Sequence, residues 1–155
     1  MKMHRTLVCL ATALFAAATV QADDLPPTPR YPLWLNECGG CHVAYPPALL
    51  TAPAWRTVMA GLDRHFGSDA SLDETTRADL TRFLETHAAR SPRLAARDGR
   101  ITGTAWFRHE HDELPARMRT AGVKSMAQCE ACHAGAARGD YDEDRVRVPG
   151  YRASR

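Results

Sequence analysis

Apolar positions along the chain gather into short blocks broken by proline, glycine and charge. The longest uncharged block, Thr6 to Val20, follows Lys2 and Arg5 and ends in Val20-Gln21-Ala22 ahead of Asp23-Asp24. A basic start, an apolar stretch of about 15 residues and a small-residue cleavage site make residues 1–22 a secretory signal peptide. A membrane anchor would need roughly 20 apolar residues. A lipoprotein would carry its cysteine at the end of the stretch, whereas Cys9 lies inside it. The mature chain is therefore expected to be exported to the periplasm and not membrane-anchored.

Pro26-Pro27-Thr28-Pro29 opens the mature chain without a helix, and a first short helix is expected from about Leu33 through His42, closed by Tyr45-Pro46-Pro47. Thr51-Ala52-Pro53 opens a second, in which Trp55, Val58, Met59, Leu62 and Phe66 recur at helical spacing up to Gly67. Ser71-Leu72-Asp73-Glu74 has the form of a capping box for a third, with Leu80, Phe83 and Leu84 on one face and an end near Arg90. Ser91 to Gly103 is rich in Pro, Arg and Gly, with Asp98-Gly99 as a turn signal. A helix over about Ala105–Leu114 should stop at Pro115, and a short one should carry Cys129–His133. No segment alternates as a strand would. The expected class is all-α, in two small modules, 23–90 and 104–155, joined by a linker at 91–103.

Composition narrows the function. The chain has 155 residues, 45% hydrophobic and 25% charged, which is globular rather than disordered or collagenous. Loss of Lys2 and Arg5 with the signal peptide brings the 20 Lys+Arg down to the number of Asp+Glu, 18, so the mature polypeptide is neutral. Its cations form no stripe or tail, and a nucleic-acid partner is not expected.

Cleavage also removes Cys9 and leaves Cys38, Cys41, Cys129 and Cys132. They stand in Cys38-Gly39-Gly40-Cys41-His42 and Cys129-Glu130-Ala131-Cys132-His133, two copies of Cys-x-x-Cys-His, the attachment signature of c-type haem. Two thiols three positions apart can form thioethers with the two haem vinyl groups, and the adjacent histidine can bind the iron. A pair of disulfides, a zinc site or a redox dithiol would also use all four cysteines. None of these explains a histidine immediately after both pairs, and a zinc module would be colourless. The expected cofactors are two covalently attached haem c groups. They also answer a stability problem, since half of the mature chain, about 67 residues, has a marginal core unless something staples it. Tyr31, Trp34, Tyr45, Trp55, Phe66 and Phe83 in the first half, and Trp106, Phe107, Tyr141 and Tyr151 in the second, are available to pack there.

The sixth ligand of each iron decides between carrier and enzyme. With His42 and His133 as proximal ligands, His65, His87, His109 and His111 remain for two positions. His65 falls at the edge of the second helix's apolar stripe, two turns after Val58, and His87 continues Leu80, Phe83 and Leu84 equally well. His111 follows Phe107 by one turn while His109 shares a face with Trp106 and Ala105, so periodicity separates neither pair. Met59, Met118 and Met126 read as core fillers.

The residues resemble the small bacterial periplasmic dihaem cytochromes c, which pair two bis-histidine haems in one chain. The likeness rests on Glu37-Cys38-Gly39-Gly40-Cys41-His42-Val43-Ala44-Tyr45-Pro46-Pro47, on Gly61-Leu62-Asp63-Arg64-His65-Phe66-Gly67 with Asp69-Ala70-Ser71-Leu72-Asp73, and on Trp106-Phe107 with His111-Asp112-Glu113. It continues through Val123-Lys124-Ser125 and Cys129–His133 to Gly139-Asp140-Tyr141. The resemblance implies a first module similar to class I cytochrome c and a second, shorter and irregular helical one. It also implies distal ligands at His65 and His111, with His87 and His109 standing behind them and His109 a departure from the family pattern. The function it implies is electron transfer at low potential without a catalytic residue. The implied partners are redox proteins, among them a small oxygen-binding monohaem cytochrome c and a membrane b-type cytochrome. The rival is a dihaem peroxidase or an oxygen-handling protein with one open iron, for which the chain leaves little substrate pocket.

Overall fold

The computed structural model describes residues 25–114 and 123–150, and among these the regular structure is helical, with two isolated bridges and no strand. The signal segment 1–22, Pro115, Met118 and Tyr151 lie outside the described residues. The all-α class expected from the sequence is the class observed. Four α-helices, α1 (Pro32–Cys38), α2 (Ala52–Ala60), α3 (Glu74–Thr86) and α4 (Ala105–Glu110), are joined by single turns of 3₁₀ helix.

Each helix is shorter than its apolar pattern suggests, for a local reason. Helix α1 ends at the first cysteine instead of reaching His42. The Gly39 N–H bonds the Leu35 carbonyl so closely that a Cβ at Gly39 would stand 2.2 Å from that oxygen. Helix α2 has Pro53 in its first turn, where no N–H partner is needed. It stops before Gly61, a poor helix former, so Leu62, His65 and Phe66 lie beyond its end in a 3₁₀ turn and the bend after it. The cap of α3 is Asp73, whose carboxylate accepts from the Thr76 N–H at 3.0 Å. Ser71, the expected cap, instead donates its own N–H to Asp69 Oδ1 at 2.9 Å. Helix α3 ends at Thr86, short of Arg90, where the Ala89 N–H leaves to donate to the Leu50 carbonyl at 2.9 Å.

Helices α1, α2 and α3 close over one core of Trp34, Leu50, Ala54, Trp55, Met59, Leu80 and Leu84. Trp55 donates its buried indole N–H to the Pro47 carbonyl at 2.7 Å, which satisfies the one polar atom its ring brings inside. Met59 is part of this core, as its position in the α2 stripe suggests.

Segment 91–103 is packed against both halves. Leu94 is buried and its carbonyl accepts from the Thr51 N–H, while α4 lies against the turns Pro92–Leu94 and Ile101–Gly103. Gly99 takes φ +71 beside α2, where a Cβ would come within 2.5 Å of Val58 Cγ2. Gly99→Ala combines a left-handed backbone with a clash, and a loss of about 2–3 kcal/mol is expected in denaturant unfolding.

Thr104, fully buried, caps α4 by accepting from the Phe107 N–H at 3.0 Å and donates its hydroxyl to the Ile101 carbonyl. Helix α4 ends at Glu110, four residues before the expected stop, and His111 forms its C-terminal cap. Beyond residue 122 the chain runs in 3₁₀ turns, Cys129–Ala131, Ala136–Arg138 and Glu143–Arg145, so the helix expected at Cys129–His133 is a single tight turn. Among the described residues after Thr104, only Phe107 and Ala136 are buried hydrophobics. An apolar cleft occupies the place of a core there.

Candidate functional site

His42 follows the turn that α1 opens into, and its Nδ1 bonds the Val43 carbonyl at 2.8 Å. That bond leaves Nε2 as the free lone pair. His65 closes the 3₁₀ turn Leu62–Arg64 and is pinned by a tight reversal, in which the Ser68 N–H returns to the His65 carbonyl at 3.1 Å. The reversal passes through Phe66 at φ 50 and Gly67 at φ 102. These elements bring the two rings together, with centroids 6.2 Å apart and planes 27° from parallel.

The second pair is assembled differently. His111 caps α4, bonds the Phe107 carbonyl through Nδ1 at 2.8 Å and stacks on the Phe107 ring at 4.0 Å. The His133 N–H bonds the Cys129 carbonyl at 2.8 Å, closing the turn between its cysteines. The rings of His111 and His133 stand 6.3 Å apart with planes at 72°.

One spacing recurs in both pairs. A metal held between two imidazole nitrogens at about 2.0 Å each, with about 1.1 Å more from nitrogen to ring centre, separates the centroids by roughly 6.3 Å. Burial holds the His65 pKa below its usual value, and the facing His42 adds to that. His133 is likewise lowered by burial and then by His111, with Asp140 pulling the other way. Neutral imidazoles present lone pairs at neutral pH, as metal ligation requires.

The remaining candidates fall elsewhere. His87 packs against Phe83 on α3, with ring centroids 5.0 Å apart. His109 is exposed and turns toward Asp112 at 3.9 Å. Met126 shares the second cleft with His111. No sequence signal marked the reversal at Phe66-Gly67 as the device that aims His65, because a positive φ at phenylalanine is not written in periodicity.

The cysteines are unbridged, and among the described residues no group of three or more His, Cys, Asp or Glu side chains surrounds a point as a zinc site would require. Burial pushes the Cys38 thiol, with help from Glu37, up to about 11, and burial likewise takes Cys129 to about 11, which disfavours thiol exchange. The second cleft, about 140 Å³, is walled by Trp106, Phe107, Leu114, Val123, Met126 and Val146, with both motif cysteines at its edge. Two buried polar atoms of this region, His133 Nδ1 and the Tyr141 hydroxyl, meet no hydrogen-bond partner among the described residues. Buried polar atoms are seldom left so. An apolar cleft, two facing imidazoles and two thiols at its rim fit a flat, largely apolar metal macrocycle.

Comparison with known proteins identifies the family. The sequence pattern of the dihaem cytochrome c family matches residues 34–141. Among solved structures the chain is similar to a dihaem cytochrome type c from Shewanella baltica OS155, at 43% identity over 77% of this chain and 94% of that one, with a TM-score of 0.69. It is also similar to a dihaem cytochrome c from Rhodobacter sphaeroides, at 45% identity over 72% of this chain and 96% of that one, with a TM-score of 0.64. A comparison with curated protein sequences finds no match. The chain belongs to the dihaem cytochrome c family, electron-transfer cytochromes that carry two covalently attached c-type haems with iron.

Proposed function

We propose that this protein is a periplasmic, low-potential electron carrier whose two irons are each closed by two histidines, His42 with His65 and His111 with His133. In this reading Cys38 and Cys41 hold one haem and Cys129 and Cys132 the other. The observation that carries it is the repeated imidazole spacing of 6.2 and 6.3 Å.

Each bound haem supplies a one-electron couple at its iron. The chain supplies the rest. The Val43 and Phe107 carbonyls hold His42 and His111 in the tautomer that directs Nε2 at the metal. Phe107 stacks on His111 and limits its rotation, and Trp106, Val123 and Met126 give the second cleft an apolar wall. A ligand set that does not change with oxidation state suits rapid outer-sphere transfer. Two imidazoles favour the ferric state more than an imidazole and a thioether do, which supports low potentials.

For partners we infer redox proteins, among them a small oxygen-binding monohaem cytochrome c and a membrane b-type cytochrome. No helix among the described residues is long and apolar enough to cross a membrane. The propionates would make the neutral mature polypeptide anionic, so a basic face on the partner would speed encounter.

The test is optical and magnetic. Visible spectra of the matured protein should be low-spin in both oxidation states and unmoved by carbon monoxide. A high-spin component or a carbon monoxide shift would instead indicate an open iron and a gas- or peroxide-handling protein. Ferric electron paramagnetic resonance should resolve two low-spin signals. Nearly parallel imidazole planes split the iron dxz and dyz orbitals, whereas planes at 72° leave them close in energy, so the second haem should show the larger anisotropy.

A further inference from the structure

The run Ala44-Tyr45-Pro46-Pro47 supplies no iron ligand, yet it makes a direct contact between the two halves of the chain. The Tyr45 ring lies on the His42 ring, with centroids 4.5 Å apart and planes 15° from parallel. Its hydroxyl crosses to the second half and donates to the Ala127 carbonyl at 2.5 Å, two residues ahead of Cys129. Burial raises the pKa of the Tyr45 phenol and of the Tyr141 phenol well above the usual range, so both are neutral hydroxyls. Tyr141 in turn stands 5.4 Å from the His133 ring. Behind Tyr45, the Pro47 carbonyl is held by the Trp55 indole, which fixes this segment to the first core.

We propose that Tyr45 couples the two centres. It is a positioning residue that clasps the second half to the first. It also provides the bonded contact from the His42 ring, through its own ring and hydroxyl, to the Ala127 carbonyl and along the backbone to Cys129. The proposal rests on the electron-carrier reading above. In the transfer it serves, one iron loses an electron and the other gains it. The phenol is neither oxidised nor deprotonated, and no co-reactant is consumed. The Tyr45 hydroxyl meets the Ala127 carbonyl directly, and a bonded contact carries an electron across with less loss than a gap between surfaces.

The experiment uses the fully matured protein with Tyr45→Phe, which keeps the ring on His42 and removes the hydroxyl, and Tyr45→Leu, which removes both. A photogenerated flavin radical delivers one electron to the oxidised protein, and its redistribution between the haems is followed in the visible bands. The expected result is redistribution slowed by about tenfold in Tyr45→Phe, equivalent to about 1.4 kcal/mol on the barrier, and by more in Tyr45→Leu. Low-spin bands are retained in both variants. Unchanged redistribution in the two variants overturns the proposal. If amides 124–133 lose hydrogen-exchange protection in step with the slowing, Tyr45 is a clasp alone and the bonded route is overturned. Failure of the carrier reading is a separate outcome, visible as high-spin bands or carbon monoxide binding in the parent protein.

Discussion

In the His111→Ala protein, one carbon monoxide binds per chain, to the second haem, and the first haem keeps its low-spin spectrum. The side chain is held on two sides, by the Phe107 carbonyl at 2.8 Å and the Phe107 ring at 4.0 Å, so its removal leaves a vacancy that the backbone cannot fill. The neighbouring imidazole is no substitute, since His109 is exposed and faces Asp112. His109→Ala and His87→Ala are the controls and should leave both haems unmoved by carbon monoxide. His65→Ala should open the first iron in the same way and spare the second. The opposite pattern, in which His109→Ala admits carbon monoxide and His111→Ala does not, would transfer the ligand role to His109. Visible titration with carbon monoxide on the four proteins decides the matter.

The second large effect concerns stability. Cys129→Ala with Cys132→Ala is expected to give a chain carrying one haem, measured as haem iron per polypeptide, in which residues 123–150 lose amide protection while α1, α2 and α3 keep theirs. The asymmetry follows from where the buried apolar groups are. The first half has its own core, with Leu80 and Leu84 almost fully buried and the Trp55 indole bonded inside. The described second half has Phe107, Ala136 and a cleft. An empty apolar cleft of that kind forfeits both transfer energy and packing contacts. The converse change, Cys38→Ala with Cys41→Ala, should weaken the first half without unfolding it completely, because α2 packs on α3 independently of those residues. Equal loss of protection in both halves would show that the two do not fold as separable units.

Much of this organisation is legible in the amino-acid order, and the parts that are not have physical causes. The Cys-x-x-Cys-His repeats are covalent chemistry, so their spacing speaks for itself. The α2 stripe of Trp55, Val58 and Met59 predicted a buried face and found one, but the same periodicity ran on through Leu62 and Phe66 after Gly61 had ended the helix. Periodicity reports which residues are apolar and not which end inside: Leu62 packs on the core from the 3₁₀ turn, whereas Phe66, past its end, is half exposed under the Arg100 guanidinium. His65 therefore could not be chosen over His87 by spacing. The reversal at Phe66-Gly67 aims His65 at His42, while His87 is turned to Phe83. Residues 123–150 show no stripe because what they line is an apolar cleft and not a packed polypeptide face.

The dependence of the second half on a group that the ribosome does not supply also bears on assembly. Local openness governs proteolysis when opening is fast relative to cleavage. A chain that had received only its first haem would offer 123–150, with Lys124, Arg138, Arg145 and Arg147 as cleavage points, as an extended tail to any protease in its compartment. A chain that has received both does not. The cleft behind Phe107 would then serve as an inspection point, with completed molecules persisting and half-finished ones open to degradation.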